Sequence, residues 1–251
     1  MNPGSSLPPP GSVPSVSGPS AAGLSPAGTN DAGASDAGPS VAGDRSGGGP
    51  LLALLARALE LWLRQQCQEI DSLEIQLEGS ATRLWQGHLE GASLRARRVV
   101  FQDLRFESVE LRGEAIGLRP GAALRGQGSL LREPFRVRGQ IYLGSEDLNR
   151  SLGSAQWRQL GDNLAEELLG VSPLVRLRIL DRRLVLSAPS AGSDRPIEVA
   201  ATLVASEGTI LMQTQPEGPS YRLPMDPAIR IERAELEAGT LLLEGEALVQ
   251  P

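Results

Sequence analysis

The sequence has no lysine: all 24 of its basic residues are arginine. That removes the phosphate-loop lysine, the Ser-x-x-Lys nucleophile pair and the Schiff-base lysine together. A single cysteine, Cys67, rules out an internal disulfide. A single histidine, His88, rules out a metal site built from several histidines of one chain. Aromatic residues make up only 3 %, so an apolar cavity would be lined mainly by Leu, Val, Ala and Ile. No stretch reaches the ~18 uninterrupted apolar residues of a membrane span. The first residues lack the charged and apolar regions of a secretory signal. The net charge is -6, which argues against a bulk nucleic-acid binder. The expectation from these absences is a cytoplasmic protein, soluble or peripheral on the inner or an internal membrane face. No cofactor, metal or nucleic-acid partner is expected.

Enzyme motifs are missing as well. Gly126-Gln127-Gly128 is a lone GxG without a strand–helix context. Cys67 falls in a predicted helix without a sequence partner, and is read as a small packed side chain. His88 falls between Gly87 and Leu89, at an expected turn. Glu166 and Glu167 are helix neighbours pointing different ways, which fits a solvated face. Distant carboxylates can still meet in a fold, so a hydrolase stays as a minor alternative.

Residues 1–49 hold Gly, Pro, Ser and Ala, with a glycine every five residues from Gly18 to Gly43. Such a segment buries too little apolar surface to offset its ordering entropy, and a disordered tail is expected. A period of five excludes collagen, whose period is three. The composition changes at Pro50, and residues 50–251 are expected to form one α+β domain. Pro50 suits the first turn of a helix. Leu51, Leu54, Leu55, Ala58, Leu59, Trp62 and Leu63 mark its apolar face, with Arg57, Glu60 and Arg64 opposite. Two readings are open for it: packing on the core, or a place in a lipid-lined groove or at a membrane interface.

From Ser72 the period becomes two. Leu73, Ile75 and Leu77 alternate with Glu74, Gln76 and Glu78. Leu94 with Ala96, Leu104 with Phe106, Val109 with Leu111 and Ile116 with Leu118 repeat it. This is the pattern of strands with one buried and one wet face. A spacing near five between the pairs admits a rival, a short β-solenoid over Leu89–Leu118. Residues 119–134 read as a loop.

Phe135–Gly170 joins a strand to helices. Val137, Ile141 and Leu143 share a face, and Arg136 and Arg138 the other. Ser145 is the expected cap of a helix with Glu146 and Asp147 in its first turn. Ser154 offers a second cap, followed by Trp157, Leu160, Leu164 and Leu168 at helical spacing, with Gly170 as the stop. Further strands follow around turns at Asp181-Arg182-Arg183, Ala191–Pro196, Glu207-Gly208 and Ala238-Gly239, with a proline-rich loop before the last hairpin. The order favours a largely antiparallel meander. Arginines concentrate in the middle, where Arg136, Arg138, Arg176 and Arg178 could meet phosphate groups; cross-strand ion pairs are the alternative.

The stretch from about Leu51 to Val249 resembles the bacterial phospholipid-binding family named after lipomannan elongation factor A, in its cyanobacterial branch. The residues that carry the resemblance are LRFESVELRGEAIGLRPGAAL from Leu104 and LREPFRVRGQIYLGSEDLNRSL from Leu131. The W-x-x-L-x-x-x-L-x-x-x-L helix after Ser154 and the closing AELEAGTLLLEGEA hairpin fit too. The resemblance implies phospholipid binding without catalytic residues, and a role at the envelope or internal membranes such as lipid transfer or maintenance. It implies a curved antiparallel sheet wrapped around amphipathic helices, similar to tubular lipid-binding domains. Leu55, Leu59, Trp62, Trp157, Leu160 and Leu164 are then the expected acyl-chain contacts, and the four arginines above the headgroup contacts. The alternative is a ligand-free scaffold domain.

The tail reading has a direct test. Deleting residues 1–49 should leave the melting temperature of the remainder nearly unchanged; a drop of many degrees contradicts it.

Overall fold

The computed structural model of the chain describes residues 49–119 and 131–251. The expected tail, apart from Gly49, and the middle of the expected 119–134 loop lie outside the described residues. The base of that loop is closed by a bridge between Leu118 and Leu131.

Helix α1 (Pro50–Gln66) opens the fold, with Pro in its first turn as expected. Its end falls earlier than expected. Cys67 is extended (φ -90°, ψ 140°) and caps the helix from outside it. Strand β1 (Glu69–Glu78) follows, then a short α2 (Ala81–Trp85), β2 (His88–Phe101), β3 (Leu104–Gly117) and β4 (Phe135–Gly144). Next come α3 (Ser145–Gly153) and α4 (Arg158–Leu169). A second run of strands follows: β5 (Arg176–Leu180), β6 (Arg183–Ser190), β7 (Ser193–Ser206), β8 (Thr209–Gln213) and β9 (Ser220–Arg222). A last hairpin, β10 (Ile229–Glu237) and β11 (Thr240–Val249), returns to the first sheet.

The described residues form two open antiparallel sheets, in the order β1-β2-β3-β4-β11-β10 and β5-β6-β7-β8-β9. This is the expected α+β class. The solenoid alternative is overturned. Leu94 faces Leu111, Ala96 faces Val109 and Val99 faces Phe106, so β2 and β3 are one long hairpin. Arg98 and Ala115 have positive φ (47° and 52°). Alternation breaks beside each: Val99 and Val100 are both buried, and so are Ile116 and Gly117. Those breaks make a continuous hairpin read as short separated pairs. Its turn, Gln102-Asp103, has positive φ at both residues (49° and 61°), as do Asp181-Arg182, Glu207-Gly208 and Ala238-Gly239. That is the turn geometry that matches strand twist in two-residue hairpins.

Directly opposed residues carry the same character across the first sheet. One face has the rung Glu74, Arg95, Glu110, Gln140, Glu244, Arg233. The other has Leu73, Ala96, Val109, Ile141, Leu243, Ala234, and next to it Ile75, Leu94, Leu111, Gly139, Gly245, Ile231. The two adjacent glycines have a steric reason. A Cβ on Gly139 would lie 2.4 Å from Leu111 Cδ2 and 2.6 Å from the Glu110 carbonyl oxygen. A Cβ on Gly245 would lie 2.2 Å from the Arg230 carbonyl oxygen. The β10–β11 register slips by one residue at the same level, between Ile231 and Arg233. The bulge thus puts one extra residue into β10 at the level where β4 and β11 carry no side chain.

The apolar face is covered at its two ends. At one end α4 and the second sheet pack on it, burying Leu143, Leu164, Leu168, Leu186, Ala201 and Leu236 in one large core. At the other, a small cluster joins Leu52 of α1, Leu84 of α2, Leu89 and Ile116. The hydrophobic burial per residue is similar, but the large core has many more residues to sum.

Helix α3 protects the edge of the second sheet. The Asn149 side chain donates to the Leu177 carbonyl (2.6 Å) and accepts from the Leu177 N–H (2.8 Å). The Ile179 N–H donates to Ser145 Oγ (3.0 Å). Exposed strand edges invite pairing with other chains, and here two helix side chains occupy the edge of β5. Ser145 is therefore not the cap expected of it. Gly144 is the N-cap, and its N–H donates to Asp147 Oδ2 (3.2 Å).

Asn149→Ala should cost about 1–3 kcal/mol of stability, because it strips the partner from both the N–H and the carbonyl of buried Leu177. Urea unfolding measures this; a change below a few tenths of a kcal/mol would show the edge needs no cover.

Candidate functional site

Between its two covered ends the apolar face of the first sheet is half-buried. Leu73, Ile75, Leu94, Val109, Leu111 and Val137 all have intermediate exposure. None belongs to the large core or to the small cluster, even as a packed neighbour. Gly139 and Gly245 continue this floor without side chains. None of the side chains on the Ile75–Ile231 rung is titratable. The floor can contact hydrocarbon; it has no group for acid–base work.

The wall is α1. Seventeen residues give it a length of about 25 Å. It runs beside β1 from the small cluster, where Leu52 is 2 % exposed, toward the β2–β3 turn. There Gln68, just after the helix, holds Asp103 twice: Gln68 Nε2 donates to Asp103 Oδ1 (2.7 Å), and the Asp103 N–H donates to Gln68 Oε1 (2.9 Å). Trp157 reaches the same turn, donating from Nε1 to the Gln102 carbonyl (2.8 Å). The start of α4 and the end of α1 are thus fixed to one hairpin tip.

This places the expected apolar contacts unequally. Leu55, Leu59 and Trp62 are half-buried on α1, and Leu55 packs on the small cluster. The expected face of α1 is displaced: Leu54 and Ala58 point outward, and Leu52, absent from the expected set, is the buried residue. Trp157 precedes α4 as its N-cap residue and does not continue the helical stripe. Trp157 and Leu160 are half-buried near the hairpin tip. Leu164 is 2 % exposed inside the large core, a position filled by protein neighbours. The floor residues Leu73, Ile75, Leu94, Val109 and Leu111 were legible as the apolar half of the alternation, but nothing in the alternation separates them from core.

The four expected headgroup arginines fall on two sheets. Arg136 and Arg138 lie on β4, both near Glu246 (3.1 and 3.8 Å). Arg178 on β5 pairs with Glu198 (2.7 Å). Arg176 is exposed and has no ion pair among the described residues. Arg176 and Arg178 border a hollow of ≈ 570 Å³ with Ser145, Asn149, Arg150 and Glu146. A second hollow, ≈ 500 Å³, lies on the polar face of the first sheet. Its arginines are already partnered: Arg95 with Glu110 (3.7 Å), Arg112 with Glu78 (3.4 Å). Next to it Arg233 hydrogen-bonds Glu235 (2.8 Å) and holds that carboxyl below the usual range. Exposed pairs of this kind add little stability. The polar hollow is lined mainly by charged and amide side chains, and Leu94, Leu111, Gly139 and Gly245 of the adjoining rung also border it.

Cys67 shows no catalytic arrangement. It is half-buried, and burial pushes its thiol above the ordinary value. A nucleophilic cysteine needs the opposite shift. Among the described residues no three His, Cys, Asp or Glu side chains are placed to hold a metal ion.

An open antiparallel sheet with a half-buried apolar floor and a helix beside it makes this an α+β domain with an apolar face covered only at its ends. The chain belongs to the LmeA-like phospholipid-binding family, whose model matches residues 47–246. That is a lipid-binding family, not a known enzyme family. No curated protein and no solved structure matches the chain. No described helix is long and apolar enough to cross a membrane.

The thiol provides a check on the site. Alkylation of Cys67 at pH 8 should run slower than that of free cysteine, with its rise displaced to higher pH. Cys67→Ser should leave lipid binding within a small factor. A hyper-reactive thiol would reverse the assignment.

Proposed function

We propose that the protein is a non-enzymatic phospholipid-binding protein that works at a membrane surface, in lipid transfer or in upkeep of the envelope or internal membranes. One acyl region would lie on the floor formed by Leu73, Ile75, Leu94, Val109 and Leu111. Leu55, Leu59 and Trp62 would form its wall, with Trp157 and Leu160 at its far end. The observation that supports this reading most is the half-buried middle of the apolar face, left outside both packed clusters. Family membership supports the ligand class. Arg176, the one of the four expected arginines without an ion pair among the described residues, is the first choice for a phosphate contact, with Arg178, Arg136 and Arg138 after it. The cytoplasmic, peripheral placement and the cyanobacterial branch belong to the same proposal; the family's ligand class supports contact with a membrane, and the stretches from Leu104 and Leu131 support the branch.

A ligand-free scaffold makes a different prediction. If lipid fills the floor, short-chain phospholipid should raise the melting temperature by mass action. Leu94→Asn should then abolish that rise while the lipid-free protein still folds. If the floor is ordinary core, Leu94→Ala should cost ~2–5 kcal/mol and lipid should change nothing. Thermal unfolding of both variants with and without lipid decides. Binding to anionic vesicles should also weaken with salt, since surface charge attraction is screened over ~10 Å at 0.1 M.

A further inference from the structure

Helix α1 has two apolar sides, and the fold uses only one. Leu52 is buried, and Leu55, Leu59 and Trp62 are half-buried on the same side of the helix. Leu54 and Leu61 are 68 % and 57 % exposed. They are seven residues apart, two turns along one side of the helix, with exposed Ala58 between them. Helix α2 repeats the arrangement. Leu84 is buried in the same small cluster as Leu52, while its neighbour Trp85 is 66 % exposed. Each of the two helices that supply the small cluster therefore leaves apolar side chains uncovered: Leu54 and Leu61 on α1, Trp85 on α2.

The charges there favour one kind of partner. Over α1 and α2 the charged residues are Arg57, Glu60, Arg64 and Arg83. Glu60 is held between Arg57 (3.5 Å) and Arg64 (3.2 Å), and Arg83 reaches Glu90 on β2 (3.0 Å). With Glu90 counted, three arginines face two carboxylates there, a small positive balance in a chain that carries -6. A helix lying in a bilayer interface places Leu and Trp among the acyl ends and Arg at the phosphates, and the long Arg stems let the guanidinium reach up from the apolar layer. Tryptophan prefers this boundary because its ring is apolar and its N–H is polar.

We propose that the outer side of α1, with Leu54 and Leu61, and Trp85 of α2 form the surface by which the protein docks on an anionic phospholipid bilayer. This deepens the lipid-binding reading and rests on it. One helix then serves both purposes: its inner side walls the acyl floor and its outer side meets the membrane that supplies the lipid. Docking in this pose sets the floor against the source of its ligand.

The test uses the full chain and two probes. Flotation with vesicles of phosphatidylcholine, with and without phosphatidylglycerol, reads docking. A phosphatidylglycerol with two six-carbon chains, kept below its micelle concentration, reads occupancy of the floor. The triple variant Leu54→Gln, Leu61→Gln, Trp85→Gln keeps the net charge and changes only exposed side chains. It should lose at least about tenfold in affinity for the anionic vesicles while binding the soluble lipid like wild type. Wild-type-like flotation of this variant overturns the proposal, as does failure of the wild type to float with either vesicle. Lipid-free dimers that the variant dissolves would assign the patch to a second copy of the chain and also overturn it. Failure of the soluble probe to bind the wild type would instead overturn the acyl-floor reading, and flotation would still decide the docking surface. Should the triple variant unfold, Leu54→Gln alone is read against the same two outcomes.

Discussion

There is no room for a β-carbon between β4 and its neighbours at Gly139, or between β11 and β10 at Gly245. That steric exclusion shapes the first sheet. A side chain at either position would have to displace backbone, which a closely packed structure does not yield cheaply. With hydrogen there instead, Leu111 can lie over Gly139 and the β10 bulge can form beside Gly245. Both glycines share a rung with Ile75, Leu94 and Leu111, in the half-buried middle of the apolar face.

Polar contacts fix the position of the helices around that sheet. Gln68 and Trp157 reach the β2–β3 turn from two different helices. Ser151 accepts from the Arg105 N–H (2.9 Å) and donates to the Asp147 carbonyl (2.7 Å), seating α3 on β3. Each such bond contributes modestly, but leaving a buried partner unmatched costs more than the bond gains. Geometry is therefore specified by a few side chains, while the bulk of the stabilisation comes from the large core.

Much of this architecture was legible in the sequence, for physical reasons. Alternation of period two reports which residues face together, and it identified the apolar and charged faces of β1 to β4. It cannot report what covers a face, so floor and core looked alike. Helical periodicity found α1 but misplaced its buried side. Leucine occupies both Leu52 and Leu54, and a wide apolar arc does not say which half meets protein. Ser145 followed the capping pattern, yet its hydroxyl serves β5; a cap and an edge contact ask for the same residue type. Asn149 gave no signal at all, since an asparagine in a helix reads as solvated until a strand edge is placed beside it. The arginines alternated as expected, but which sheet each joined depended on chain path.

The two ends of α1 are held by unequal means. Its last turn leads into Gln68, tied to the hairpin tip by side-chain and main-chain bonds, including Gln68 N–H to the Val100 carbonyl (2.8 Å). Its first turn rests on a cluster of four buried side chains. One end is therefore oriented by directional polar bonds and the other by apolar contact around Leu52. The glycine-rich segment precedes the helix in sequence at the Leu52 end, so a load carried along the chain from that segment would meet the apolar contact before the polar one.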